Sequence, residues 1–222
     1  MKSSLIALTI VLFTNGCIST NKDYLINNVI CNYNDPIFQI KKNELTLNKN
    51  VKKQLKYREE DLIIIDNEIY KSRFYNHNNG QYTNKQTNKK LGVGKWIRYK
   101  EDGSILWSEF LYLNGLNRIF KETHYDEQGN ITKVIDYEKG YAICWAEAIE
   151  IVKKIAKRDI EKYEVTGFNL KHTNLNKFPN VKPEWVISLN GNEEYQRKPY
   201  KFYHIDGVTG KFLKTTTATL TP

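Results

Sequence analysis

Four histidines, His77, His124, His172 and His204, and the acids near strand ends and turns are the groups in this 222-residue chain suited to acid–base or metal chemistry. A metal pair on a helix needs histidines at i and i+4, and a strand pair needs His-x-His; neither spacing occurs. Each histidine therefore reads as a loop or strand-face residue. Asp206 has the chemistry of a calcium ligand or an acid, but its place beside glycines makes it first a turn residue that accepts backbone N–H bonds. Glu109 and Glu122 lie on segments that a sheet could bring face to face as an acid pair. No Gly-x-Ser-x-Gly, P-loop or dinucleotide fingerprint occurs. The expectation is a non-catalytic chain without cofactor or metal.

Cysteine chemistry is equally sparse. Of Cys17, Cys31 and Cys144, no two form a Cys-x-x-Cys, so neither a zinc site nor a thioredoxin-like motif is suggested. Cys31 and Cys144, separated by 113 positions, read as two free buried thiols, with a single bridge as the alternative. The formal charge of +9 invites a nucleic-acid reading. The lysines, however, are spread along the chain instead of being gathered in one run or interleaved with aromatics, so no nucleic-acid partner is expected. Asparagine, lysine, isoleucine and tyrosine are abundant together, which low-GC codon usage explains.

The elements that would position these groups are organised around a repeat between Gly94 and Gly140. Tyr99-Lys-Glu-Asp-Gly103-Ser-Ile105 returns 26 residues later as Tyr125-Asp-Glu-Gln-Gly129-Asn-Ile131, and Tyr112 and Gly115 return as Tyr137 and Gly140. In each unit a strand ends at the tyrosine, a polar turn places glycine where positive φ is wanted, and a second strand begins at Ile105 or Ile131. Successive hairpins should extend one antiparallel sheet, with the tyrosines stacking at equivalent positions. Tyr75 and Gly80 read as a worn third copy, at a spacing of five where the others have four.

Upstream, Tyr24–Cys31 and Pro36–Ile40 read as short strands, with Glu44–Leu47 as a further candidate, and Leu62–Ile65 should form a hairpin with Glu68–Tyr75 across Asp66-Asn67. Residues 76–90 contain no aliphatic side chain and read as a long exposed loop. Downstream, Ala148, Ile149, Val152, Ile155, Ala156 and Ile160 fall at three- and four-residue steps, which predicts one amphipathic helix between Ala142 and Tyr163. Strands are expected over Glu164–Leu170, Trp185–Leu189, Tyr200–Ile205 and Lys211–Thr217, the last two joined by Asp206-Gly-Val-Thr-Gly210. The fold class is α+β: a β-rich N-terminal half with antiparallel repeat hairpins, then a small domain of one helix packed on an antiparallel sheet.

Three resemblances bear on function. Lys2, the apolar run Leu5–Phe13 and Gly16-Cys17 resemble a bacterial lipoprotein signal, with Thr14 and Asn15 departing from the usual pattern. This implies cleavage after residue 16, lipidation of Cys17, a tether over 17–23, and an exported protein held to a membrane by its acyl chains. Secretion or a soluble periplasmic protein is the alternative. Gly94-Lys-Trp96, Tyr99 to Gly103, Tyr112 to Gly115 and Tyr125 to Gly129 resemble MORN-type repeats, although only two copies are clear and the second lacks the Gly-x-Trp element. That resemblance implies a surface for partners within a β region spanning 24–140. Ala146-x-Ala148-Ile149, Ala156, Trp185-Val186 and Tyr203-x-Ile205-Asp206-x-x-Thr209-Gly210-Lys211 resemble the PepSY domain over about 141–214, within a domain expected over 141–217, with Gly207 where alanine is usual. It implies a binding module at the cell envelope. The expected function is therefore a membrane-anchored protein- or peptide-binding module; an inhibitor or immunity protein against a peptidase or toxin, and an enzyme of unrecognised type, are the alternatives.

Overall fold

The computed structural model describes residues 33–57, 61–77 and 79–218. The architecture is α+β, with a seven-stranded antiparallel sheet followed by helices and a four-stranded antiparallel sheet. The first sheet is a meander in which each strand pairs with the next: β1 Leu62–Asp66, β2 Tyr70–Asn76, β3 Tyr82–Asn88, β4 Val93–Tyr99, β5 Ile105–Tyr112, β6 Asn117–Tyr125 and β7 Ile131–Asp136.

The residues before β1 form a layer over one side of this sheet, and they differ from the strands expected. Pro36–Phe38 is a 3₁₀ turn, because proline suits the first position of a turn and the Asp35 carboxylate accepts the Ile37 N–H at 2.9 Å. Lys42–Glu44 is a second 3₁₀ turn, and only the isolated bridge of Thr46 to Ser104 has strand character. Helix α1, Lys49–Leu55, follows from Asn48, whose side chain accepts the N–H groups of Asn50 and Val51. Ile37, Phe38, Leu47 and Leu55 are all buried by this layer. The Tyr33 hydroxyl donates to Glu138 Oε2 at 2.6 Å, and Glu138 Oε1 accepts the N–H of Phe120, a residue at φ +57 that β6 holds in the left-handed region. The strand expected over Tyr24–Cys31 lies outside the described residues.

The expected loop over 76–90 is instead mostly strand β3. It pairs with β2 from Tyr70↔Asn88 to Asn76↔Tyr82 and with β4 from Tyr82↔Tyr99 to Asn88↔Val93. Its backbone is satisfied on both sides, and its buried polar side chains are satisfied locally: Ser72 donates to Asn84, and Asn88 accepts the N–H groups of Lys90 and Leu91. The turn after β2 repeats the bonding of the later ones. His77 N–H reaches the Gln81 carbonyl and Gly80 N–H that of His77, just as Lys100 pairs with Ser104 and Gly103, and Asp126 with Asn130 and Gly129. The third copy is therefore present, with Asn76 four residues before its glycine in the place of Tyr99 and Tyr125. Gly103, Gly115, Gly129 and Gly140 all sit at positive φ, the conformation the turn chemistry requires of glycine. Tyr99 and Tyr125 enter one core with Leu55, Ile97 and Ile105; no ring contact joins them to each other.

The single helix expected downstream is broken at Ala156 into α2, Trp145–Ile155, and α3, Lys157–Lys162. Ala156 has φ −94 and ψ 14, and while its N–H closes α2 on Val152, its carbonyl opens α3 by accepting from Ile160. The second sheet runs β11-β10-β9-β8, with β8 Gly167–His172, β9 Glu184–Asn190, the short α4 Glu193–Gln196, β10 Tyr200–Asp206 and β11 Phe212–Ala218. Trp145, Ala148, Ile149 and Val152 of α2 pack with Leu170, Trp185, Ile187, Leu189 and Ile205 in a core that continues through Tyr112 and Phe110 into the first sheet. Each such large apolar side chain is worth about 1.5–3 kcal/mol when buried. Gly207 packs against the segment that leads into α2. Its carbonyl accepts the N–H groups of Ala142 and Ile143, and a Cβ there would stand 2.5 Å from the Tyr141 ring, so the contact, not the turn, demands glycine. Cys144, buried just before α2, is disulfide-bonded, which corrects the free-thiol reading; its partner lies outside the described residues.

Candidate functional site

A β-strand presents alternate residues to opposite sides, so β4 divides cleanly. Val93, Lys95, Ile97 and Tyr99 face the N-terminal layer and are buried, while Trp96 and Arg98 project to the other side and remain partly exposed. Pairing register carries this second side across neighbouring strands. One row reads Arg73, Lys85, Trp96 and Glu109, and the adjacent row reads Tyr75, Thr83, Arg98, Trp107 and His124. Cations and rings interleave within it. Lys85 Nζ stands 4.1 Å from the centre of the Trp96 ring and 5.0 Å from that of Tyr75, Arg73 lies 5.6 Å from Tyr75, and Arg98 lies 5.7 Å from Trp107. At such distances each contact is worth roughly 0.5–1 kcal/mol on an exposed surface. Burial, and behind it the charges of Arg73 and Arg98, pulls Lys85 below the ordinary lysine range. Burial, then Arg98 and Lys85, likewise lowers His77, which bonds Thr83 Oγ1 at 2.8 Å.

Beyond Trp96 the face changes sign. Glu109 and Glu122, the suspected acid pair, both converge on Arg118, whose Nε lies 2.5 Å and 3.6 Å from their carboxylates. Glu122 also accepts from the Tyr137 hydroxyl at 2.6 Å and meets His124 Nε2 at 2.7 Å. With Arg118 bonded between the two carboxylates, this cluster is an ion-pair network and not a carboxyl–carboxyl pair. It forms one wall of a cavity of about 470 Å³ that Trp96, Tyr137 and His172 also line.

His172 is the unusual group there. Burial pulls it from 6.5 down to about 4, opposed only in part by the Tyr137 backbone. The folded chain therefore refuses a proton that the unfolded chain accepts, and stability that is complete above about pH 6.5 drains away as pH falls toward 4. We expect a loss of about 2–3 kcal/mol across that window from this residue. Denaturant midpoints measured at both ends for the parent and for His172→Phe will show it: the substitution should flatten the slope, and an unchanged slope assigns the pH dependence elsewhere.

The remaining sequence candidates fall in several places. Tyr112 meets the Trp145 ring at 5.2 Å and so joins the first sheet to α2. Tyr203 donates to Asp159, Trp185 Nε1 donates to the Ile143 carbonyl, and Asp206 accepts from the N–H groups of Val208 and Thr209, bonds that hold its carboxyl below the usual range. Gly210, at φ +70, ends that turn. His204 is held between Glu184 and Thr216. Cys17 lies outside the described residues. Arg73, Lys85, Trp96, Arg98 and Trp107 do not stand out in sequence as a group; the one local signal is the alternation Val93-Gly-Lys-Trp-Ile-Arg-Tyr99.

Among the described residues no cluster of three or more His, Cys, Asp or Glu gathers as a metal site, and no helix is long and apolar enough to cross a membrane. No family model matches the chain, and no curated protein matches it. Among solved structures, the Bacillus megaterium YpeB C-terminal domain shows a weak likeness, with a TM-score of 0.21 and 11% identity, over 79% of this chain and 99% of that one. A likeness at that score decides nothing about fold or function.

Proposed function

We propose that this protein is an exported, lipid-anchored envelope protein that acts as a non-catalytic protein- or peptide-binding module, and that the aromatic side of the seven-stranded sheet is its binding surface. The observation that carries this reading is the row structure of that side, where Tyr75, Trp96 and Trp107 stay partly exposed across adjacent strands. Aromatic side chains of this kind dominate the energetics of protein interfaces, and a rigid sheet holds them without an ordering cost on binding.

Crosslinking in intact envelopes, followed by recovery of the tagged chain, tests the reading. The parent should yield a defined partner, and Trp96→Ala with Trp107→Ala should lose it while the melting temperature stays near that of the parent. Recovery of the same partner from the double variant places binding elsewhere, and recovery of none from the parent removes the reading.

A further inference from the structure

The cations on this side are arranged against the rules of sheet stability. Arg73 and Lys85 are directly opposite one another in the β2–β3 register, a placement in which like charges repel. Arg98, across from Thr83, adds a third charge one row away. Arg73 finds Asp61 at 3.5 Å and is still 42% exposed, whereas no carboxylate among the described residues lies within ion-pair distance of Lys85 or Arg98, and Arg98 feels only the more distant charge of Glu109. The rings hold the three cations in place, but ring contacts do not neutralise charge, and the opposed Arg73 and Lys85 still repel. Unbalanced charge held at a cost on a rigid, aromatic surface is the signature of a ligand of opposite sign.

The extent of the patch limits that ligand. It covers β2, β3 and β4 only, roughly 10 Å across at the spacing of strands, which matches about three or four residues of an extended chain. Carboxylates border it on both sides, Asp61 beside Arg73 and the Glu109–Glu122 cluster beyond Trp96. A long polyanion laid across the sheet would run onto these acids, but a short segment would not.

We infer that Arg73, Lys85 and Arg98 receive a short acidic peptide segment of the binding partner, its carboxylates on the three cations and its backbone and methylene stems on Tyr75, Trp96 and Trp107. The inference rests on the binding-module reading and narrows it to one ligand chemistry. Guanidinium groups bond carboxylates in bidentate fashion, and the rings fix the cations in place before the ligand arrives.

The test is fluorescence polarisation with the full chain and a fluorescein-labelled peptide carrying consecutive glutamates. A matched glutamine peptide and a single-stranded oligothymidylate serve as comparisons. The glutamate peptide should bind, weaken as salt is raised, and lose about tenfold or more in affinity with Arg73→Gln, Lys85→Gln and Arg98→Gln combined. Exchanging Arg73→Lys and Arg98→Lys should fall between the parent and the neutralised variant, since the charge stays and the bidentate geometry is lost. The neutralised variant loses repulsion together with the ring contacts and the Arg73–Asp61 pair, so its melting temperature is measured beside its affinity; if it melts lower than the parent, the single Lys85→Gln variant and the salt series carry the test. Equal binding of the glutamine peptide, tighter binding of the oligothymidylate, or indifference to neutralisation overturns the inference. A crosslinked partner lost with Trp96 and Trp107 but kept when the cations are neutralised overturns the acidic ligand alone and leaves the binding module standing.

Discussion

Lys95→Ala is expected to destabilise the protein by about 3–5 kcal/mol, read as a shift of the urea midpoint. Lys95 is 1% exposed, in a core-facing position of β4, and its ammonium group lies 2.9 Å from both carboxylate oxygens of Glu44 and from the Gln39 carbonyl. Alanine removes the cation and leaves Glu44, 11% exposed, without its charge partner inside the protein. The carboxylate keeps the Gln86 amide and the Lys41 N–H, which are too few to replace a charge. Because Gln39 and Glu44 belong to the N-terminal layer, the same substitution loosens the cover over Ile97, Tyr99 and Ile105. The pair need not be worth much in itself, since burying two charges costs nearly what their attraction returns. Lys95→Met with Glu44→Leu should therefore recover most of the loss. A Lys95→Ala variant that unfolds with the parent would show that water reaches Glu44 and that the layer is held by apolar contact alone.

Lys95 also shows what could be read in advance. The alternation of Val93, Lys95, Ile97 and Tyr99 places the lysine inward, and an inward lysine requires an acid; which acid is not a local property, because Glu44 is 51 residues away. The glycine turns were legible for the opposite reason, as positive φ is a demand that a few neighbouring residues settle by themselves. The α+β class and the strands after the helices followed from apolar patterning, which a one-sided sheet and an amphipathic helix both impose. Strand β3 was hidden because Tyr82–Asn88 has no aliphatic residue and is made a strand by partners on both sides. The break at Ala156 was hidden because the apolar period runs straight through it while only the backbone changes. The cationic patch was least legible of all. Arg73, Lys85 and Arg98 are spaced at 12 and 13 positions along the chain, and the register of two hairpins is what brings them together.

Cys144→Ser is expected to cost about 4 kcal/mol, and its disulfide partner decides the anchor reading. The chain's other two cysteines, Cys31 and Cys17, lie 113 and 127 positions away and are the two candidates for the partner. Closing a loop that long restricts the unfolded chain heavily, and because the cost varies only with the logarithm of length, both pairings stabilise almost equally. Stability alone cannot separate them, but chemistry can. Lipidation consumes the sulfur of Cys17, so a lipid-anchored chain must pair Cys144 with Cys31, and it must do so in an oxidising compartment, where such bonds persist. Mass mapping of peptides from the unreduced protein should join Cys31 to Cys144. Cys17→Ala should leave that bond intact and release the protein from membranes. A peptide joining Cys17 to Cys144, or a Cys17→Ala chain that stays on the membrane as tightly as the parent, removes the lipid anchor from the proposal while leaving the binding face untouched.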